Sequence, residues 1–171
     1  MNDIREILID DASEYKRIRL EALKLNPSAF AENAKDFEKK TLEEIYAEIA
    51  RWKEMGGFAL GAFSLEGNLV GMIGVGRSSY NKINHRGHVW GVYVTPPARG
   101  AGVVRALFDR LVERARKNEG LVQLDIEAVT SNQTALKLYQ SVGFELCGTQ
   151  PRALKVGSEY FDEYLLVLKL D

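Results

Sequence analysis

Residues 92–108 read VYVTPPARGAGVVRALF, and the reading of this stretch decides the fold. The apolar run HVWGVYV (88–94) stops at Thr95-Pro96-Pro97, and a short turn carrying Gly100 and Gly102 follows. Apolar residues then recur at Val104, Leu107, Phe108, Leu111, Val112 and Ala115, the spacing of a helix with one buried stripe. A strand, a glycine turn and a helix start together make an anion site. Unpaired N–H groups of the first helical turn point outward, the helix dipole favours negative charge, and glycine keeps Cβ atoms out of the way. A plain tight turn into a helix gives the same short pattern, and the loop matches neither GxxxxGK[ST] nor GxGxxG.

Toward the N-terminus, Ile4–Ile9 reads as a short strand and Ala12–Leu25 as a helix with Asp11 as N-cap and Glu14 three residues on, stopped by Asn26-Pro27. SAFAENAKDFEKK (28–40) reads as an irregular surface loop. TLEE at Thr41 is a capping box for a second helix that runs to about Glu54 before Gly56-Gly57. Residues 58–80 form two apolar runs joined by Glu66-Gly67-Asn68, a hairpin signature. Toward the C-terminus, LVQLDIEAV (121–129) is a strand, TSNQTALKLYQSVGF (130–144) a capped helix ending at Gly143, and FELCGTQ and EYFDEYLLVLKL are further strands. The order predicts a mixed α/β sheet with helices on its faces, in one domain spanning 1–171.

With 23 basic and 24 acidic residues the net charge is -1, so no global positive field recruits nucleic acid or an anionic membrane. The single cysteine, Cys147, cannot form an internal disulfide and reads as a small buried residue. The first residues lack the layout of a secretory signal, and no apolar run is long enough to span a bilayer. The expectation is a soluble, cytoplasmic protein acting on small molecules or protein partners. His85 and His88 stand three apart with no further ligands nearby, so no metal site is expected.

RGAGVVRALF after VYVTPPA, followed by NQTALKLYQSVGF, resembles the GCN5-related N-acetyltransferase (GNAT) superfamily. In that family a Q/R-x-x-G-x-G/A turn holds the coenzyme A pyrophosphate through backbone N–H groups. Arg99, Gly102 and Val104 fall on its specified positions, within the turn Arg99, Gly100, Ala101, Gly102, Val103 and Val104. Val104 is the departure, since the family usually has Gly or Ala there. Asn132, Ala135, Leu138, Tyr139, Gly143 and Phe144 match the family's N-x-x-A-x-x-L-Y-x-x-x-G-F. The resemblance implies an α+β fold: a mostly antiparallel sheet of about seven strands, about four flanking helices, and strands 4 and 5 splayed apart.

It further implies an acetyl-CoA-dependent N-acetyltransferase with a small-molecule amine or a protein N-terminus as acceptor. Many relatives dimerise, so a homodimer is possible on that ground alone. HVWGVYV alternates Trp90, Val92 and Val94 on one face with Val89, Gly91 and Tyr93 on the other, and Gly91 marks a bulge or a close backbone approach, or is a packing glycine in a plain core strand. By analogy with the family, Val92, Tyr93 and Val94 line the thioester arm, largely through backbone groups. Tyr139 is either the proton donor to the departing thiolate, its role in relatives, or a core tyrosine on the Ala135, Leu138, Val142 stripe. Asp125 and Glu127 share a strand face, roughly 7 Å apart. Glu127 precedes Tyr139 by twelve residues, a spacing similar to the branch that acetylates protein N-termini, where such a glutamate is the base; a solvated strand face is the alternative. Asn132 serves as N-cap, as cofactor contact, or both. Arg152 reads as a solvated hairpin arginine before it reads as a contact to an acidic acceptor group, and the segment around Phe30 is a further candidate to border the acceptor site. No cysteine or serine stands beside a base, so direct attack in a ternary complex is expected. A non-catalytic acyl-CoA sensor or interaction module is the competing reading.

Overall fold

The computed structural model describes residues 3–171. In chain order the elements are β1 (Asp3–Glu6), α1 (Ala12–Leu25), α2 (Ala34–Glu38), α3 (Leu42–Glu54), β2 (Phe58–Phe63), β3 (Leu69–Arg77), β4 (Arg86–Val94), α4 (Val103–Arg116), β5 (Gln123–Val129), α5 (Gln133–Val142), β6 (Glu145–Val156) and β7 (Glu159–Lys169). One seven-stranded sheet runs β1-β2-β3-β4-β5-β7-β6. Only β4 and β5 pair in parallel; the other neighbours are antiparallel. The mixed, mostly antiparallel sheet expected from the sequence is therefore present, with five helices instead of about four. Among the described residues no helix is long and apolar enough to cross a membrane.

Each sheet face carries its own core. On one side α4 lays Val103, Leu107, Phe108, Leu111 and Ala115 against β-strand residues such as Ile73, Val75 and Leu124. On the other, Tyr15, Ile18, Phe37, Ile45 and Ile49 from the first three helices cover Ala59, Met72 and Tyr93. The capping box opens α3 as read: Thr41 Oγ1 accepts from Glu44 N at 3.2 Å while Glu44 Oε2 accepts from Thr41 N at 2.7 Å.

Four local readings change. The 28–40 stretch is not all loop, because Asn33 caps the single turn α2 and Phe37 on that turn is fully buried. One buried aromatic in a short polar segment leaves no periodicity to detect. Asp11 makes no cap bond to α1; its carboxylate accepts from Leu8 N at 2.8 Å and holds Arg5 at 2.7 and 2.8 Å. Glu14 accepts from Leu69 N at 2.9 Å, tying α1 to the sheet. Cys147 is exposed, because β6 is an edge strand whose residues face largely outward.

Candidate active site

β4 begins as an ordinary partner of β5, paired at Arg86 to Gln123, Gly87 to Leu124 and His88 to Asp125, and the pairing ends there. Three residues on, Gly91 takes φ 68°, and Gly91 and Val92 together stand opposite Ile73 of β3. This bulge bends β4 away from β5. It also resets the side-chain alternation. Trp90 packs with Tyr93 on the α1 side while Val92 and Val94 face α4, so simple alternation placed Trp90 on the wrong face.

The splay opens a cleft of about 780 Å³, bounded by β4 and β5, by the start of α5, and by the segment that precedes α2. Val92, Tyr93, Val94, Arg99, Val104, Glu127, Asn132 and Tyr139 all border it. Gly100, Ala101 and Gly102 are exposed and do not line it, although Arg99 and Val104 on either side do, and Val103 turns into the core.

Gly100 and Gly102 have φ values of 79° and 76°, and a Cβ on either would meet nothing within 4 Å. Glycine is needed there for the left-handed backbone, not for room inside the fold. The turn runs directly into the 14-residue α4, with Gly102 as N-cap and no side chain filling the cap. Its outward N–H groups remain available to an anion. Arg99 folds back, donating from Nε to Val94 O at 3.0 Å with its guanidinium 5.6 Å from the Tyr93 ring centre. The start of α5 is fixed by Asn132, whose Oδ1 accepts from Ala135 N at 3.1 Å.

Tyr139 is buried against Phe108 and Phe144, with ring centres at 5.5 and 6.3 Å. Burial pushes its phenol well above the ordinary range and the Glu127 charge adds to this, so the hydroxyl keeps its proton at neutral pH. The two β5 carboxylates have separate partners. Asp125 is taken by Arg86 at 2.6 Å and by Gln123 Nε2 at 2.6 Å. Glu127 faces the cleft with His88 Nδ1 3.3 Å from Oε2. Glu163 of β7 also borders the cleft, its carboxyl pushed up by burial and by the Glu127 charge.

The far wall includes the Phe30 segment, as expected, but its charged residues were missed by motif reading. Arg19, only 8% exposed, grips Glu32 at 3.2 Å, with Phe30 4.9 Å from its guanidinium; Lys40 joins Glu32 to Glu48, which accepts from Tyr15 OH at 3.0 Å. Arg19 Nη1 has no hydrogen-bond partner among the described residues. The available signal was a charged residue inside the buried α1 stripe of Tyr15, Ile18, Ala22 and Leu23. Arg152 is placed otherwise. Its backbone, at φ 52°, is tied to Asp162, and its guanidinium lies over the exposed Tyr160 ring. His85 stands outside the cleft, before β4.

Residues 11–144 match the Acetyltransferase (GNAT) family. The chain belongs to that family. The GNAT match takes in α1 through Phe144 and so includes both quoted segments. Curated relatives include the N-alpha-acetyltransferase RimI of Mycobacterium tuberculosis, 36% identical over 53% of this chain and 54% of its own length. The streptothricin acetyltransferase of Streptomyces lavendulae is 30% identical over 64% of this chain and 55% of its own length. The chain thus spans about half the length of these relatives. The fold likeness extends through β6 and β7: yncA of Salmonella typhimurium, solved with acetyl-CoA, superposes with a TM-score of 0.87 over 100% of this chain and 95% of its own, at 22% identity.

Proposed function

We propose that this protein transfers an acetyl group from acetyl-CoA to a primary amine by direct attack in a ternary complex, the acceptor being a small molecule or a protein N-terminus. The observation that carries the reading is the splay of β4 from β5, which leaves Glu127 and Tyr139 bordering one cleft. The open, left-handed turn at Gly100 and Gly102 fits a pyrophosphate, and the edge that β4 turns toward β5 beyond His88, free of β5 pairing, fits the pantetheine arm. When bound there, acetyl-CoA supplies an activated acetyl carbonyl.

Glu127 accepts a proton from the acceptor's ammonium, which frees the amine to attack, and Tyr139 gives its phenolic proton to the departing sulfur. Arg99 and Asn132 hold the turn and helix ends that receive the cofactor. Cys147, the chain's one thiol, lies on the exposed edge strand and outside the cleft, which supports direct transfer over an acetyl-enzyme. RimI and streptothricin acetyltransferase are named for different acceptors, and both acceptor classes stay within the reading.

The test is thiol release from acetyl-CoA with a panel of amines, paired with thermal shift. Stabilisation by acetyl-CoA and amine-dependent release that falls about a hundredfold in Tyr139→Phe support the proposal. Stabilisation without turnover returns the acyl-CoA sensor, and no stabilisation at millimolar acetyl-CoA removes both.

A further inference from the structure

We propose that His88 is the proton outlet of this site: it receives from Glu127 the proton taken from the acceptor and passes it to bulk water. The inference rests on the acetyltransfer reading above, which requires each turnover to discard one ammonium proton. A carboxylate inside a cleft cannot begin a new cycle until that proton has left.

Glu127 has one titratable neighbour suited to the task. His88 Nδ1 stands 3.3 Å from Oε2, and the His88 side chain is 55% exposed against 31% for Glu127. The ring therefore spans from the cleft wall to solvent. Asp125, its Cα partner on β5, is committed to Arg86 and Gln123. On β3 its partner is Gly76, which brings no charge. Glu163 of β7 is the other carboxyl in range, and His88 and Glu127 act on it in opposite senses. Across the cleft, Arg19 and Glu32 are paired to each other.

The steps balance. The N–H bond of the ammonium breaks as Glu127 becomes a carboxylic acid. That proton moves to His88 Nδ1, and the imidazolium releases the proton on Nε2 to water, leaving a neutral ring and an ionised Glu127. The Nδ1 proton returns to Nε2 by exchange with solvent.

The experiment follows thiol release from acetyl-CoA with a polyamine, a free amino acid and an unblocked peptide, using wild type, H88Q, H88A and H85Q. With whichever amine wild type accepts, H88Q lowers kcat about tenfold or more while KM for acetyl-CoA stays within about twofold. The loss shrinks as pH rises, because hydroxide then clears Glu127 directly. Added imidazole restores part of kcat in H88A, and H85Q behaves as wild type. A kcat in H88Q within about twofold of wild type overturns the relay and leaves the acetyltransfer reading standing. So does a loss that is constant with pH and indifferent to imidazole, which marks a structural role. Failure of every amine with wild type removes the acetyltransfer reading and the relay with it.

Discussion

Trp90 lies flat across Gly74: the two are Cα partners on β4 and β3, and a Cβ built on Gly74 would fall 2.3 Å from Trp90 Cε2. The indole is held from behind by Trp52, with ring centres 4.9 Å apart, and forms part of the cleft wall. Gly74→Ala therefore displaces Trp90. The expected cost is about 1–3 kcal/mol in urea unfolding, with a raised KM for the acceptor.

Val103 and Val104 divide the work that the sequence assigned to Val104 alone. Val103 is buried in the α4 core, whereas Val104 is half-buried and borders the cleft. Val103→Ala should cost about 1.5 kcal/mol, at about 0.8 kcal/mol for each buried carbon removed, and Val104→Ala about half of that or less. Titration with acetyl-CoA should respond to Val104→Ala and not to Val103→Ala; the reverse order in either measurement contradicts this division.

At Gly102 the penalty for a side chain is conformational. With φ at 76° and open space around the missing Cβ, Gly102→Ala should lose about 1–2 kcal/mol, while Gly102→Asn loses less because asparagine enters the left-handed region more readily. Equal losses in the two variants by thermal denaturation would point to steric exclusion instead.

The Arg5–Asp11 pair gives a pH-dependent prediction. Its hydrogen bonds from Arg5, with that from Leu8 N, hold the Asp11 carboxyl below its ordinary range. A lowered carboxyl stabilises the fold fully above the unfolded value, near pH 4, and the contribution is lost as pH falls through the folded value. Arg5 is 41% exposed, so screening limits the effect. Asp11→Asn should cost about 1 kcal/mol at pH 7, and the gap from wild type should narrow in urea titrations as pH falls below the unfolded carboxyl's value of about 4.

The sheet and its flanking helices were readable because their signals are local: the α4 stripe, the TLEE box and glycines at turns each act within a few residues. Glu127, Asn132 and Tyr139 were reachable because they sit in contiguous motifs. The Phe30 segment of the far wall was expected, but the charged cluster behind it was not. Arg19, Glu32 and Lys40 come from separate segments and meet only once α1 has docked, and the face of Trp90 depends on a bulge that breaks the alternation used to read it. His88 looked like an isolated histidine because its partner, Glu127, is on another strand.

The break in pairing after His88 has a mechanical consequence. Strands β1 to β4 form one plate and β5, β7 and β6 another, joined along a spine of three residue pairs. Opening or narrowing the gap between the plates need not sacrifice a backbone rung, because none spans it beyond the spine. An extended ligand seated there supplies rungs, so occupancy should register as slowed amide exchange along Val92–Val94, turning a split sheet into a continuous one.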